Sequence, residues 1–66
     1  MKNSLKIERA IKNLTQEDLA KMIGVSRQTI NSIETGRYVP STVLALKISG
    51  IFEKPVNEIF WLEDLD

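Results

Sequence analysis

The chain has no cysteine and no histidine. Disulfides, thiolate metal sites, cysteine nucleophiles and imidazole bases are thereby excluded. Its three glycines do not cluster into a phosphate-cradling loop. No pair of carboxylates is framed for acid–base work, so no enzymatic activity, cofactor or metal is expected. Apolar runs fall far short of the roughly 18 residues that mark a membrane helix. Met1-Lys2-Asn3 does not open a signal peptide, so a cytoplasmic protein with no membrane contact is expected. Net charge is also missing, with nine basic residues against nine acidic. Sixty-six residues make one domain, expected to span 1–66. A chain of this size buries only about 60% of its unfolded surface. Its core leaves little room for a small-molecule pocket, and no such ligand is expected.

What is present is a strongly patterned stretch from Thr15 to Gly36, TQEDLAKMIGVSRQTINSIETG. Thr15 is a good N-cap, and Asp18 three residues on can complete a capping box. Gln16 then opens a helix whose apolar face is Leu19, Ala20, Met22 and Ile23. Gly24 ends it where positive φ is needed. Ser26 caps the next helix, which carries Ile30 and Ile33 inward, and Gly36 stops it. The outer side holds Arg27, Gln28, Thr29, Asn31 and Ser32, with no acid until Glu34. Such short polar, amide and guanidinium groups can read base edges in a major groove, although a solvated helix face has a similar composition. The spacing of caps, glycines and buried positions favours DNA recognition. Gln16, at a helix N-terminus, suits a phosphate contact. Glu17 and Asp18 in the same turn should point away from DNA.

The balanced charge hides an asymmetry. Eight basic and four acidic residues lie between Met1 and Lys47, and one basic and five acidic residues follow. A basic face and an acidic end would orient the molecule on a polyanion.

Around this centre, Ser4 can cap a first helix from Leu5 to about Asn13. Leu5, Ile11 and Leu14, and in part Ile7, are expected inside, Lys6, Glu8 and Lys12 outside, and Ala10 lets a neighbouring helix approach. Arg9 sits near the buried side and needs a partner. After Gly36, Arg37 and Tyr38 can donate to phosphates; Tyr38 can equally pack its ring over the core edge. Ser41 caps a fourth helix from Thr42 to about Glu53. Ala45, Ile48 and Phe52 line its inner face, Leu44 and Ile51 flank it, and Lys47 points out. Gly50 either admits a close backbone or weakens that helix. Pro55 suits the start of a short fifth helix with Val56, Ile59 and Phe60 inward. Phe60–Leu62 can pair with Lys2–Ser4 as a two-strand ribbon, and Glu63–Asp66 is expected to fray. The fold class is therefore all-α, with five helices.

The motif T-Q-E-D-L-A-x-x-I-G-V-S-R-Q-T-I-N-x-I-E-x-G-R-Y-x-P-S, followed by A-L-K-I, resembles the lambda-repressor-like family of helix-turn-helix regulators, the Cro/cI and Xre group. The likeness runs from about Leu5 to Phe60 and is closest to compact single-domain members. It implies that Arg27, Gln28, Asn31 and Ser32 read bases. It implies that Gln16, Thr29, Arg37 and Tyr38 contact phosphates, with Gln16 also bracing the recognition helix. It further implies an ion pair between Arg9 and Glu34 that joins helices one and three. Thr42 and Gly50 depart from the leucine and alanine common in the family.

The resulting expectation is a repressor that binds double-stranded DNA as a homodimer, since one recognition helix covers too few base pairs. Ile51, Phe52, Val56, Phe60, Trp61 and Leu62 form the expected dimer patch. Trp61 alternatively caps the monomer's own core. The same fold also serves as a DNA-binding antitoxin or as a protein-interaction adaptor.

Overall fold

A computed structural model describes Met1–Asp66. Its elements run β1 (Lys2–Asn3), α1 (Leu5–Ile11), α2 (Gln16–Ile23), α3 (Arg27–Glu34), α4 (Thr42–Phe52), α5 (Val56–Ile59) and β2 (Phe60–Trp61). Five helices enclose one apolar cluster. Leu5, Leu19, Ile30, Ile33, Ile48 and Ile59 are its fully buried side chains. The terminal ribbon forms over two residues per strand, antiparallel, with Lys2 opposite Trp61 and Asn3 opposite Phe60. Side chains alternate along a strand, so Phe60 enters the core while Trp61 stays 43% exposed. Trp61 therefore does not cap the core.

The predicted caps of α2, α3 and α4 are all made. Thr15, Ser26 and Ser41 accept from the backbone N–H groups of Asp18, Thr29 and Leu44. The cap of α1 differs. Asn3 Oδ1 accepts from Leu5 N at 3.0 Å, and the Ser4 hydroxyl is buried without a partner. Helix α1 ends at Ile11, two residues early, because Asn13 takes φ +55° in the turn to α2. Helix α4 ends at Phe52, one residue early, with Glu53 at φ +54°.

The orientation of α1 corrects the sequence reading. Ile7 and Ile11 are more than 60% exposed, whereas Glu8, expected outside, is buried. Leu5, Glu8 and Arg9 share one face at i, i+3 and i+4, and Ile7 lies opposite Leu5 on the helix. Two ion pairs hold that face inward. Lys54 Nζ lies 2.9 Å from Glu8 Oε2, and Arg9 meets Glu34. Charged residues with partners far along the chain thus outcompete two isoleucines for the core side. Ala10 is exposed and carries no neighbouring helix. Met22, expected on the apolar face of α2, is 52% exposed.

The C-terminal end is also redrawn. Glu63–Asp66 closes into a turn, with Glu63 N donating to Asp66 Oδ2 at 2.8 Å. The Met1 amine stands 2.8 Å from the same oxygen. Two members of the expected dimer patch, Phe52 and Phe60, are buried in the monomer's own core. Ile51 and Val56 are half-buried against that core, and Trp61 and Leu62 remain exposed.

Candidate nucleic-acid interface

Helices α2 and α3 pack tightly together, and their junction fixes the interface. The Thr15 hydroxyl accepts from Asp18 N, and the Asp18 carboxylate accepts from Thr15 N, both at 3.0 Å. Those bonds from Thr15 hold the Asp18 carboxyl below the usual carboxylate range. They also fold this acid back onto its own helix end. Gly24 at φ +77° turns the chain, and Val25 N closes the turn on the Ala20 carbonyl at 3.0 Å. Ser26 Oγ then accepts from Thr29 N at 3.1 Å and starts α3. Ile30 and Ile33 lock α3 against Leu19, Ala20 and Ile23 in the common core.

With one side of α3 anchored, the other is presented. Arg27, Gln28 and Asn31 are exposed; Thr29 and Ser32 are half-buried. The Thr29 hydroxyl is 2.9 Å from Ser26 Oγ. Ser32 lies deeper, in a groove shared with Gln28, Thr29, Tyr38 and Lys47. Its carbonyl accepts from the backbone N–H groups of Arg37 and Tyr38 at 2.9 and 3.1 Å, which ties the loop after Gly36 to α3. Arg37 and Tyr38 are both exposed. Lys47, read from sequence only as an outward residue of α4, joins the same groove as Gln28, Thr29 and Ser32 of α3. Its distance along the chain from α3 gave no signal of this. None of the five acids from Ile48 onward lines the surface around α3.

Behind this surface Arg9 and Glu34 form a bidentate pair. Arg9 Nε and Nη2 donate to Glu34 Oε2 and Oε1 at 2.5 and 3.0 Å, and Nη1 donates to the Leu14 carbonyl at 2.8 Å. The hydrogen bond to Glu34 raises the guanidinium's proton affinity further, against an opposing effect of burial. Gln16 adds a third member. Its Nε2 donates to Glu34 Oε1 and to Asn31 Oδ1, both at 3.2 Å. That amide nitrogen has two hydrogens and two acceptors within reach, both inside the protein. A phosphate contact by Gln16 would have to displace one of them. The backbone N–H groups of Gln16 and Glu17, which have no acceptor within the helix, are the donors left for an anion there, since Asp18 N is taken by Thr15. No group of His, Cys, Asp or Glu side chains is close enough to hold a metal ion. No helix is long and apolar enough to cross a membrane.

Comparison with known proteins places these features in company. The profile of a helix-turn-helix family matches residues 5–59. A helix-turn-helix-type transcriptional regulator of Methanocaldococcus jannaschii is 59% identical over 64 residues, covering 97% of each chain. YgzD of Bacillus subtilis, described in the same terms, is 48% identical with the same coverage of each chain. Among solved structures, the SOS-response transcriptional repressor LexA of Eubacterium rectale superposes with a TM-score of 0.79 at 27% identity. That match covers 94% of this chain and 66% of the LexA chain.

Proposed function

The chain belongs to the lambda-repressor-like, or Xre, family of helix-turn-helix transcriptional regulators, and on that premise we propose that it represses transcription as a homodimer on a (pseudo)palindromic operator. The observation that carries this reading is the two-sided α3. Ile30 and Ile33 are at most 1% exposed, while Arg27, Gln28 and Asn31 stand in solvent. A helix held that firmly can enter a major groove without first paying the entropy of ordering its own backbone.

The roles follow from position. Arg27 and Gln28, at the N-terminal end of α3, meet base edges first, Arg27 suited to guanine and Gln28 to adenine. Asn31 and Ser32 follow one turn on. Thr29, Arg37, Tyr38, Lys47 and the first backbone N–H groups of α2 face the flanking phosphates. Two copies are needed because a few base pairs carry too little information to mark one genomic site. The half-sites should then lie about 34 Å, one helical turn, apart. The apolar surface outside the monomer core supports a second copy. Trp61 and Leu62 are exposed at one end, and Val39 and Leu46 are exposed on a groove that also takes in Val56. Such a protein acts where the chromosome is, in the cytoplasm.

Selection of bound duplexes from a random pool tests all of this together. The expected product is one enriched site with two-fold symmetry. Gln28→Ala should then lose about 1–3 kcal/mol at a single position per half-site. An enriched site without symmetry, or a monomer by sedimentation at high concentration on DNA, defeats the homodimer. Unchanged affinity in Gln28→Ala defeats the assignment of bases.

A further inference from the structure

The polarity of the hydrogen bonds behind α3 is not free to vary. Arg9 has only donors, and it meets both oxygens of Glu34, which has only acceptors. The Gln16 amide atom that faces Glu34 must therefore be its nitrogen. The same nitrogen lies 3.2 Å from Asn31, and the hydrogen it does not give to Glu34 is available there, so the atom of Asn31 that accepts it must be the oxygen. Two carboxamides that could each flip in isolation are thus set by an ion pair that cannot. Arg9 and Glu34 side chains are 13% and 6% exposed, so water competes little for this end of the chain of bonds. Asn31 itself is exposed on the presented side of α3.

We infer that Arg9, Glu34 and Gln16 preset the carboxamide of Asn31 with its nitrogen outward, so that Asn31 meets its base as a hydrogen-bond donor and rejects cytosine. Arg9, Glu34 and Gln16 are positioning residues in this scheme, and Asn31 is the group that touches DNA. Guanine offers two major-groove acceptors, thymine one, and adenine its N7, but cytosine offers only an amino donor. An asparagine free to rotate can turn its oxygen to that amino group. One held by Gln16 must first break a bond to do so. This inference rests on the DNA-binding reading proposed above and adds to it the sign of one contact.

The test uses the whole chain and the operator selected from the random pool. Asn31→Ala identifies the base position involved as the one whose preference it flattens. At that position the natural protein should disfavour cytosine by roughly fivefold or more. Gln16→Met keeps the side-chain length but removes both donors, and should shrink the discrimination against cytosine to about twofold or less while guanine stays accepted. A general loosening of α3 would instead lower affinity for all four bases alike. In the DNA-free protein, the side-chain NH2 of Gln16 should exchange with water more slowly than that of Gln28, and Glu34→Gln should abolish the difference. Three results overturn the inference while leaving DNA binding intact. They are cytosine accepted by the natural protein at that position, discrimination unchanged in Gln16→Met, and Gln16 exchanging as fast as Gln28. A pool from which no sequence is enriched overturns the DNA-binding reading itself, and the role of Asn31 with it.

Discussion

Replacing Arg9 by methionine should destabilise the fold more than any other single surface-reaching substitution considered for this chain. The change removes two hydrogen bonds to Glu34 and one to the Leu14 carbonyl. It leaves a carboxylate that is 6% exposed with only the Gln16 amide as a donor. Breaking a buried pair by removing one partner costs about 3–5 kcal/mol, because the other charge stays buried and unmatched. Arg9 is 13% exposed, so some water reaches the site, and the lower end, about 3 kcal/mol, applies. A domain of this length holds roughly 3–10 kcal/mol in all. One substitution therefore removes a third or more of the total. At about 4–8 °C per kcal/mol, Tm should fall by roughly 12–24 °C.

Thermal melts followed by circular dichroism at pH 7 read this directly. The double variant Arg9→Met/Glu34→Met supplies the control. With both charges gone nothing is left unmatched, and Tm should recover by half or more of the single-variant loss. The effect should also persist in high salt, since a pair this enclosed is screened little. A Tm within about 3 °C of the natural protein in Arg9→Met would show that the pair contributes no more than an exposed one. A double variant that falls by the sum of its parts would show that the two side chains act independently.

Two further outcomes are expected. Gly50 lies inside α4, and a Cβ built there meets nothing within 4 Å. Gly50→Ala should stabilise the monomer by about 0.5–1 kcal/mol through helix propensity alone; a fall in Tm would mean that the open space is occupied in solution. The Asp18 carboxyl is held below its unfolded range of about 3.9 by the Thr15 backbone and hydroxyl. Its contribution is therefore present above pH ~4 and lost as pH falls through the lower folded value. Asp18→Asn should be less stable at pH 7 and should flatten the acid limb of a denaturant-midpoint profile between pH ~4 and 2; parallel profiles for the two proteins would refute the capping box as the cause.

What could be read from the sequence divides by the range of the interaction. Thr15, Ser26 and Ser41 bond to backbone three residues away, so their caps were legible. Gly24 and Gly36 adopt φ +77° for reasons confined to their own turns. The pairing of Phe60–Leu62 with Lys2–Ser4 was legible, but its register, with Lys2 opposite Trp61, was not. By contrast, Glu8 looked like a surface acid because its partner, Lys54, is 46 residues away. Nothing near Leu5 announces that contact, and apolarity alone wrongly sent Ile7 and Ile11 inward. Phe52 and Phe60 were read in two ways, and they stand as inward residues of the monomer rather than as members of a dimer patch. A linear count of apolar residues near the C-terminus cannot tell which of them the monomer itself has room to bury.

The two-sidedness of α3 was the most legible feature, and its physical cause explains why. A helix that reads DNA must be apolar at i and i+3 on one side and nearly free of acid on the other, and α3 satisfies both within eight residues. The one acid there, Glu34, breaks the second rule when taken alone, but its partners change its part. Arg9 neutralises it from α1, and Gln16 turns the resulting order toward Asn31 from α2. On the DNA-binding reading proposed above, a residue whose charge should repel a phosphate backbone becomes the anchor of the side chains turned to the bases. That conversion depends on three helices meeting at one point. A motif confined to α2 and α3 therefore specifies which side chains α3 exposes, and α1, through Arg9, joins the hydrogen bonds that hold one of them.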